Sequence, residues 1–121
     1  MKTSYGHIKP FTTLDGSLIR ELMHPASHGN KNQSLAEAII AVNSETVLHR
    51  HHRSEELYYI TAGSGLMTLD DQQFEVTTGD TICIAPGLAH KIRNTGACDL
   101  KILCCCSPAY LHDDTELLGK S

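Results

Sequence analysis

Short runs of β-forming residues, separated by turn signals, dominate the sequence from Thr46 to Cys106. Gly63-Ser64-Gly65, Asp70-Asp71, Gly79-Asp80, Pro86-Gly87 and Gly96 mark the turns. Many short strands at close spacing indicate an all-β sandwich or barrel, because each strand must bury one face against another layer. The predicted strands in this part are 46–51, 57–61, 66–69, 74–76, 81–84, 90–93 and 100–106.

The residues before Thr46 are less regular. Turn signals interrupt the segment 1–33, and one strand over 17–22 is compatible with its pattern. The segment 34–42 (SLAEAIIAV) mixes helix-forming and strand-forming residues, and we assign it as a strand because strands follow it closely. The expected organisation is an irregular N-terminal segment (1–33), a barrel core (34–109) and a C-terminal tail (110–121) that forms a loop with at most a short helix.

Length and composition indicate one cytoplasmic domain. A chain of 121 residues with 40% apolar residues can build a single core, and its apolar runs are too short to cross a membrane. A net charge of −4 without a basic block disfavours nucleic acid as a partner. The five cysteines, three of them adjacent at positions 104–106, favour a reducing compartment, and the N-terminus shows no secretion signal.

Histidine is the residue type that points to chemistry. His49 and His51 lie two apart in a predicted strand, so both side chains are on one face and can meet one ion. Glu56 begins the next strand, and His90 begins a later one. Three imidazoles and a carboxylate suit Fe(II), Mn(II), Zn(II), Ni(II) or Cu(II) better than Ca(II) or a thiolate-bound zinc.

The spacing of these residues resembles that of a known family, the cupins. His49-x-His51, four residues, Glu56, six residues and Gly63 match the first cupin signature. Gly79, seven residues, Gly87, two residues, His90, three residues and Asn94 match the second. The gap of fifteen residues between the two signatures resembles that of small single-domain bacterial cupins. Asn43 replaces a usual Gly, and Ala85 replaces a usual Pro, which affects loops and no metal donor.

The resemblance implies a double-stranded β-helix, or jelly roll, with a divalent metal held in the barrel mouth by His49, His51, Glu56 and His90. Fe(II) and Mn(II) are favoured over Zn(II), Ni(II) and Cu(II). It implies a metal-dependent enzyme of the dioxygenase, decarboxylase, lyase or isomerase type, acting on a small oxygen-rich molecule. The alternative is a module that binds or senses a small ligand without catalysis. Family analogy also implies a homodimer, with 17–22 and 34–42 as candidate contact strands.

Several residues allow more than one interpretation. Glu55 also fits the ligand spacing after His51, although Glu56 gives the better gap to Gly63. Tyr58 shares the face of Glu56, so it is the candidate catalytic residue, with a plain core role as the alternative. The cysteines, including Cys83 and Cys98, are expected to be packing residues. The acidic group His112, Asp113 and Asp114 is expected to be solvated.

Overall fold

The structure, a computed structural model, describes residues 1–119, and its regular secondary structure is almost entirely β-strand. The predicted strands all form, with ends that differ by a few residues. The strands are β1 (Phe11–Thr12), β2 (Leu18–Met23), β3 (Ser34–Ile40), β4 (His49–His51), β5 (Glu55–Ala62), β6 (Ser64–Leu69), β7 (Gln72–Thr77), β8 (Thr81–Ile84), β9 (His90–Asn94), β10 (Leu100–Ser107) and β11 (Thr115–Leu117). The helical elements are α1 (Pro25–His28) and 3-10 turns at Tyr5–His7 and His112–Asp114.

The strands form two antiparallel sheets. The first sheet has the order β1-β2-β3-β10-β5-β8, and the second has the order β11-β4-β9-β6-β7. Strands that are neighbours in a sheet are often distant in the sequence, as expected of a jelly roll. The all-β fold class predicted from the sequence is therefore confirmed.

The core lies between the two sheets. Strand β5 alternates exposed and buried residues along its length, which places Ile60 inside and Tyr59 outside. Ile60 and Ile102 of the first sheet, with Met67 and Ile92 of the second, are among the fully buried side chains. The interior between the sheets is thus an apolar layer that holds the site-bearing strands β4, β5 and β9 in place.

Two turn positions require unusual backbone conformations. Gly63 has a φ of +89°, and a Cβ there would lie 2.8 Å from the carbonyl oxygen of Asp99, so no other residue fits. Asn43, which replaces a usual cupin glycine, has a φ of +65°. Asparagine tolerates this left-handed region, so the departure from the family pattern keeps the turn.

The C-terminal tail differs from the loop that we predict. Its residues Thr115–Leu117 form β11, which pairs with β4 and covers the edge of the strand that carries His49 and His51. Asp114, expected to be solvated, is buried and accepts hydrogen bonds from the backbone N–H groups of Arg53 and Ser54 at 3.0 and 3.1 Å. The tail is ordered because its backbone and one carboxylate satisfy polar groups of the β4–β5 connection.

Two further expectations bear on the first sheet and the cysteines. The strand predicted at 34–42, a candidate dimer contact, forms as β3 and lies inside its sheet, between β2 and β10. The packing role expected of two cysteines is wrong. Cys83 and Cys98 are exposed and do not pack in the core, whereas Cys104 and Cys106 are buried. Strand alternation explains the difference within β10, where Cys105 faces outward between two inward-facing thiols.

Candidate metal centre

Three histidines meet because two neighbouring strands place them opposite one another. His49 in β4 is the direct antiparallel partner of His90 in β9, and their ring centroids lie 4.2 Å apart. His51 follows two residues later on the same face of β4, with its ring 5.3 Å from that of His49 and 5.4 Å from that of His90. One nitrogen from each ring lies within 4.8 Å of the other two. The imidazoles predicted to share one ion therefore do converge.

Hydrogen bonds fix which nitrogen of each ring faces the others. His49 Nδ1 donates to the carbonyl oxygen of Val47 at 2.7 Å, and His90 Nδ1 donates to that of Leu88 at 3.0 Å. A carbonyl oxygen can only accept, so each Nδ1 carries the proton and each Nε2 keeps its lone pair. This is the tautomer of a metal-binding histidine whose outer nitrogen is anchored by the protein.

His51 adopts the same tautomer through a hydroxyl group. The Thr115 hydroxyl donates its only proton to the carbonyl oxygen of Leu111 at 2.9 Å. Its oxygen therefore accepts from His51 Nδ1, which lies 2.9 Å away. All three Nε2 lone pairs are thus directed to the centre of the cluster, and β11 supplies the group that orients one of them.

Glu56 approaches the cluster from the opposite sheet. Its Oε1 lies 3.2 Å from Nε2 of His51 and 3.5 Å from Nε2 of His90. Glu56 is 5% exposed, whereas its neighbour Glu55 faces solvent, so the structure separates the two carboxylates as the spacing to Gly63 predicts. Burial by itself would raise the pKa of Glu56, but the contacts of its carboxylate with His51 and then His90 outweigh burial and lower the pKa to about 2, so the carboxylate is ionised near pH 7.

The donor set fits a divalent cation. Nε2 of His90 is buried and has no hydrogen-bond partner in the part of the chain described, 1–119. The neighbouring Nε2 of His51 offers a lone pair to a carboxylate oxygen, which is also only an acceptor. Buried acceptors that face each other repel unless a cation lies between them. Nitrogen and oxygen atoms that converge in this way are compatible with binding a divalent metal.

A second carboxylate reaches the cluster from the N-terminal segment. Asp15 Oδ2 lies 3.7 Å from Nε2 of His49. The other oxygen of Asp15 accepts from the backbone N–H and the hydroxyl of Ser17 at 3.0 and 2.6 Å, which holds the side chain in place. Burial, followed by the charge of His90, lowers the pKa of His49, so its ring is neutral at neutral pH. The sequence marks Asp15-Gly16 only as one of the turn signals in the segment 1–33 and does not predict this contact.

The histidine cluster opens into a cavity between the sheets. Its volume is about 60 Å³, and it is lined by residues from both sheets and both terminal segments. The apolar part of the lining includes Ile19, Ala38 and Ile102, and the polar part includes Ser34, Thr46 and Tyr110. The ring of Tyr110 lies edge-on to His51 with the centroids 5.6 Å apart. Sequence analysis did not identify Tyr110, since it had placed the tail outside the barrel.

Tyr58, the candidate catalytic residue, lies in the wall of this cavity. Its side chain is 5% exposed, and its ring is edge-on to His90 with a centroid distance of 6.1 Å. Burial, and then the charge of Glu56, raise the pKa of Tyr58 well above its ordinary value. The phenol is therefore neutral near pH 7 and can donate a hydrogen bond, but the raised pKa makes it a weak acid and it cannot act as a base.

Cys106 contacts Glu56, which in turn contacts the histidine cluster. The two residues are partners in the β10–β5 pairing, and Cys106 Sγ donates to Glu56 Oε2 at 3.3 Å. Burial, and then the Glu56 carboxylate, raise the pKa of the Cys106 thiol far above its ordinary value, so the thiol keeps its proton and remains a donor. The packing role predicted for the cysteine run is incomplete, because one of its thiols orients the carboxylate.

A family model for the cupin domain matches residues 36–106, which is more than half of the chain. The protein belongs to the cupin family. The two signatures fall inside the matched range. Asn94, the last residue of the second signature, donates to the carbonyl oxygens of Ile40 and Cys98 in this cupin, both at 2.8 Å.

Relatives of this cupin match most of its length. An uncharacterised protein of Methanocaldococcus jannaschii is 58% identical over 98% of this chain and 94% of its own length. An oxalate-binding protein of Thermotoga maritima is 33% identical over 71% of this chain and 67% of its own length. A crystal structure of a predicted oxalate decarboxylase from Thermotoga maritima superposes with a TM-score of 0.78 at 25% identity, over 89% of this chain and 99% of that chain.

No helix in the part of the chain that the structure describes is long and apolar enough to cross a membrane.

Proposed function

We propose that this cupin binds one divalent transition metal through His49, His51, His90 and Glu56, and uses it to act on a small oxygen-rich molecule. The observation that carries this proposal is the convergence of three Nε2 lone pairs and a carboxylate oxygen, with the His90 nitrogen buried and unpartnered. Fe(II) and Mn(II) are the favoured ions, and Zn(II), Ni(II) and Cu(II) suit the same donors.

Different side chains would bind the ion and contact the substrate. A bound divalent ion supplies Lewis acidity and a template for a ligand with two oxygen donors. The cavity beside the cluster admits such a ligand and excludes bulk water with its apolar walls. Tyr58 is the proposed orienting residue, because its neutral phenol lies in the cavity wall on the same face of β5 as Glu56 and can donate a hydrogen bond to an oxygen of the substrate.

Metal analysis followed by turnover assays tests this proposal. The purified protein is analysed for metals, stripped, and reloaded separately with Fe(II), Mn(II), Co(II), Ni(II), Cu(II) and Zn(II). Each form is then incubated with diketones, hydroxy acids and oxalate while oxygen uptake and product formation are followed. We expect one ion per chain and turnover in at least one form. The absence of turnover in every loaded form would contradict an enzymatic role.

A binding or sensing module is the second candidate function. It is supported by the two candidate catalytic groups beside the proposed ion, since Tyr58 is held neutral and Glu56 faces the imidazoles. It is also supported by the relative whose name describes it as oxalate-binding. A ligand that raises the melting temperature of the metal-loaded protein alone, and is recovered unchanged, would establish this function over the enzymatic one.

A homodimer in a reducing cytoplasm completes the proposal. Partly exposed apolar side chains on the outer face of the first sheet, including Leu35, Leu57 and Tyr59, support pairing through that face. The five free cysteines, two of them exposed, support a compartment where thiols stay reduced. Light scattering after size-exclusion chromatography tests the dimer, and a monomer at micromolar concentration would refute it.

A further inference from the structure

Carboxylates line the cavity together with histidines. Asp15, Glu21 and Glu56 contribute to its lining, and within residues 1–119 no lysine or arginine does. Two arginines close in sequence to the site residues contact other carboxylates. Arg50 donates to Glu116 at 2.9 Å, and Arg53 lies 3.4 Å from Asp114. A bound ligand therefore has no lysine or arginine as a partner in the cavity wall.

The charges around the proposed ion already balance without a ligand. Two carboxylates, Glu56 and Asp15, lie close to the imidazoles, and together they offset a doubly charged cation. Glu21 adds a further carboxylate to the cavity lining. Bringing a dianion into this partly buried space would add two negative charges with no counter-charge, and like charges repel strongly where water is scarce.

The size and polarity of the cavity further limit which ligands fit. A water-sized group needs roughly 10–15 Å³ of cavity volume. The cavity of about 60 Å³ therefore admits about four to six such groups. Ile19, Ala38, Ile40 and Ile102 give much of the wall an apolar surface, which favours carbon over additional oxygen away from the chelating end.

We propose that the ligand of this site is a small chelator of about six non-hydrogen atoms, uncharged or singly charged, with two adjacent oxygen donors and an apolar remainder. The inference rests on the proposed metal-binding function and selects among the oxygen-rich molecules that the function admits. It separates this cupin from a dicarboxylate-binding site, because the carboxylates that surround the ion and the absence of a lysine or arginine partner penalise each negative charge on the ligand.

Three compounds of equal size test the dependence on charge. Oxalate, pyruvate and diacetyl each have six non-hydrogen atoms and two adjacent oxygen donors, and they carry two, one and no negative charges. Each is titrated into the Co(II)-loaded full chain, and binding is followed by the visible spectrum of the protein-bound ion. The same titrations are repeated on Asp15→Asn, which keeps the Oδ1 acceptor for Ser17 and removes one negative charge near the ion.

Comparing wild type with Asp15→Asn cancels the different affinities of the three compounds for the metal itself. We expect Asp15→Asn to strengthen pyruvate binding about tenfold and oxalate binding about a hundredfold, and to leave diacetyl within a factor of about two. Glu55→Gln is the matched control, because it removes an equal charge from the solvent-facing side of β5. That variant should leave all three affinities within about twofold.

Two results would overturn the inference, and they can be told apart. If the wild-type chain binds no Co(II), the proposed function fails and the ligand class fails with it. If the chain binds Co(II), and Asp15→Asn changes the affinities of oxalate and diacetyl by the same factor, the metal site stands and the charge argument alone is wrong.

Discussion

Replacing Cys106 with alanine should weaken metal binding although the thiol is not itself a ligand. The substitution removes the S–H group that donates to Glu56 Oε2 at 3.3 Å, so the carboxylate loses the contact that aims its other oxygen at the imidazoles. Outer contacts of this kind are typically worth tenfold to a hundredfold in metal affinity. A thiol is a weak donor, so we expect the lower end, about tenfold, which corresponds to about 1.4 kcal/mol.

Cys104 provides the matched control for this prediction. It lies two residues earlier in β10 on the same inward face and is also buried, but its thiol donates to the Ile102 carbonyl oxygen at 4.0 Å rather than to a proposed metal ligand. Cys104→Ala and Cys106→Ala remove the same atoms and should both destabilise the fold by about 1 kcal/mol. Cys104→Ala alone should keep the wild-type metal affinity to within about twofold.

The assay is a competition titration of Co(II) against a chelator of known affinity, with urea unfolding of each variant to measure stability. Cys106→Ser should recover much of the lost affinity, because the hydroxyl can again donate to Glu56. A structural role alone would weaken metal binding in proportion to stability in both alanine variants. Equal Co(II) affinities for Cys104→Ala and Cys106→Ala would therefore refute the proposed role of the thiol.

Three other perturbations have defined outcomes. Thr115→Val removes the acceptor for His51 Nδ1 and should weaken Co(II) binding about tenfold with the same chelator assay. Asp114→Asn should lower stability by about 1 kcal/mol at pH 7. Burial alone would raise the pKa of Asp114, but the backbone N–H groups of Ser54 and Arg53 that donate to it outweigh burial and lower the pKa. The stability that Asp114 contributes is therefore present above the unfolded pKa of about 3.9 and is lost as the pH falls through the lower folded pKa. Urea unfolding of both proteins between pH 7 and pH 2.5 should show the difference disappear, and a difference that grows on acidification would contradict this assignment. Removing the metal should lower the melting temperature by several degrees, compared with protein in a metal concentration a hundred times the Kd. Scanning calorimetry that shows no shift would contradict metal binding to the folded state.

Local patterns predict much of the barrel and the histidine cluster. The alternation of side chains in β4 places His49 and His51 on one face, and turn signals locate most of the strands, because both depend on residues within a short stretch of chain. The spacing to Gly63 likewise favours Glu56 over Glu55, and Glu56 is the one of the two that is buried. These features depend on residues close together in the chain, so they can be predicted from the sequence before the packing is known.

The residues that support the cluster depend on contacts between distant parts of the chain. Cys106 meets Glu56 across 50 residues, and Thr115 meets His51 across 64. Asp15 reaches His49 from a turn that looks like any other Asp-Gly turn. The tail becomes a strand because β4 has a free edge to pair with, which local strand propensity in the segment does not reveal.

Anomalous X-ray diffraction from crystals of the Co(II)-loaded protein tests the proposed centre most directly. We predict one strong peak per chain, within about 2.3 Å of Nε2 of His49, His51 and His90, and within the same distance of a Glu56 oxygen. The double variant His51→Ala, His90→Ala should show no peak at that position. A peak at another site in the wild-type chain, or none in crystals grown with excess Co(II), would contradict a metal centre built on these four side chains.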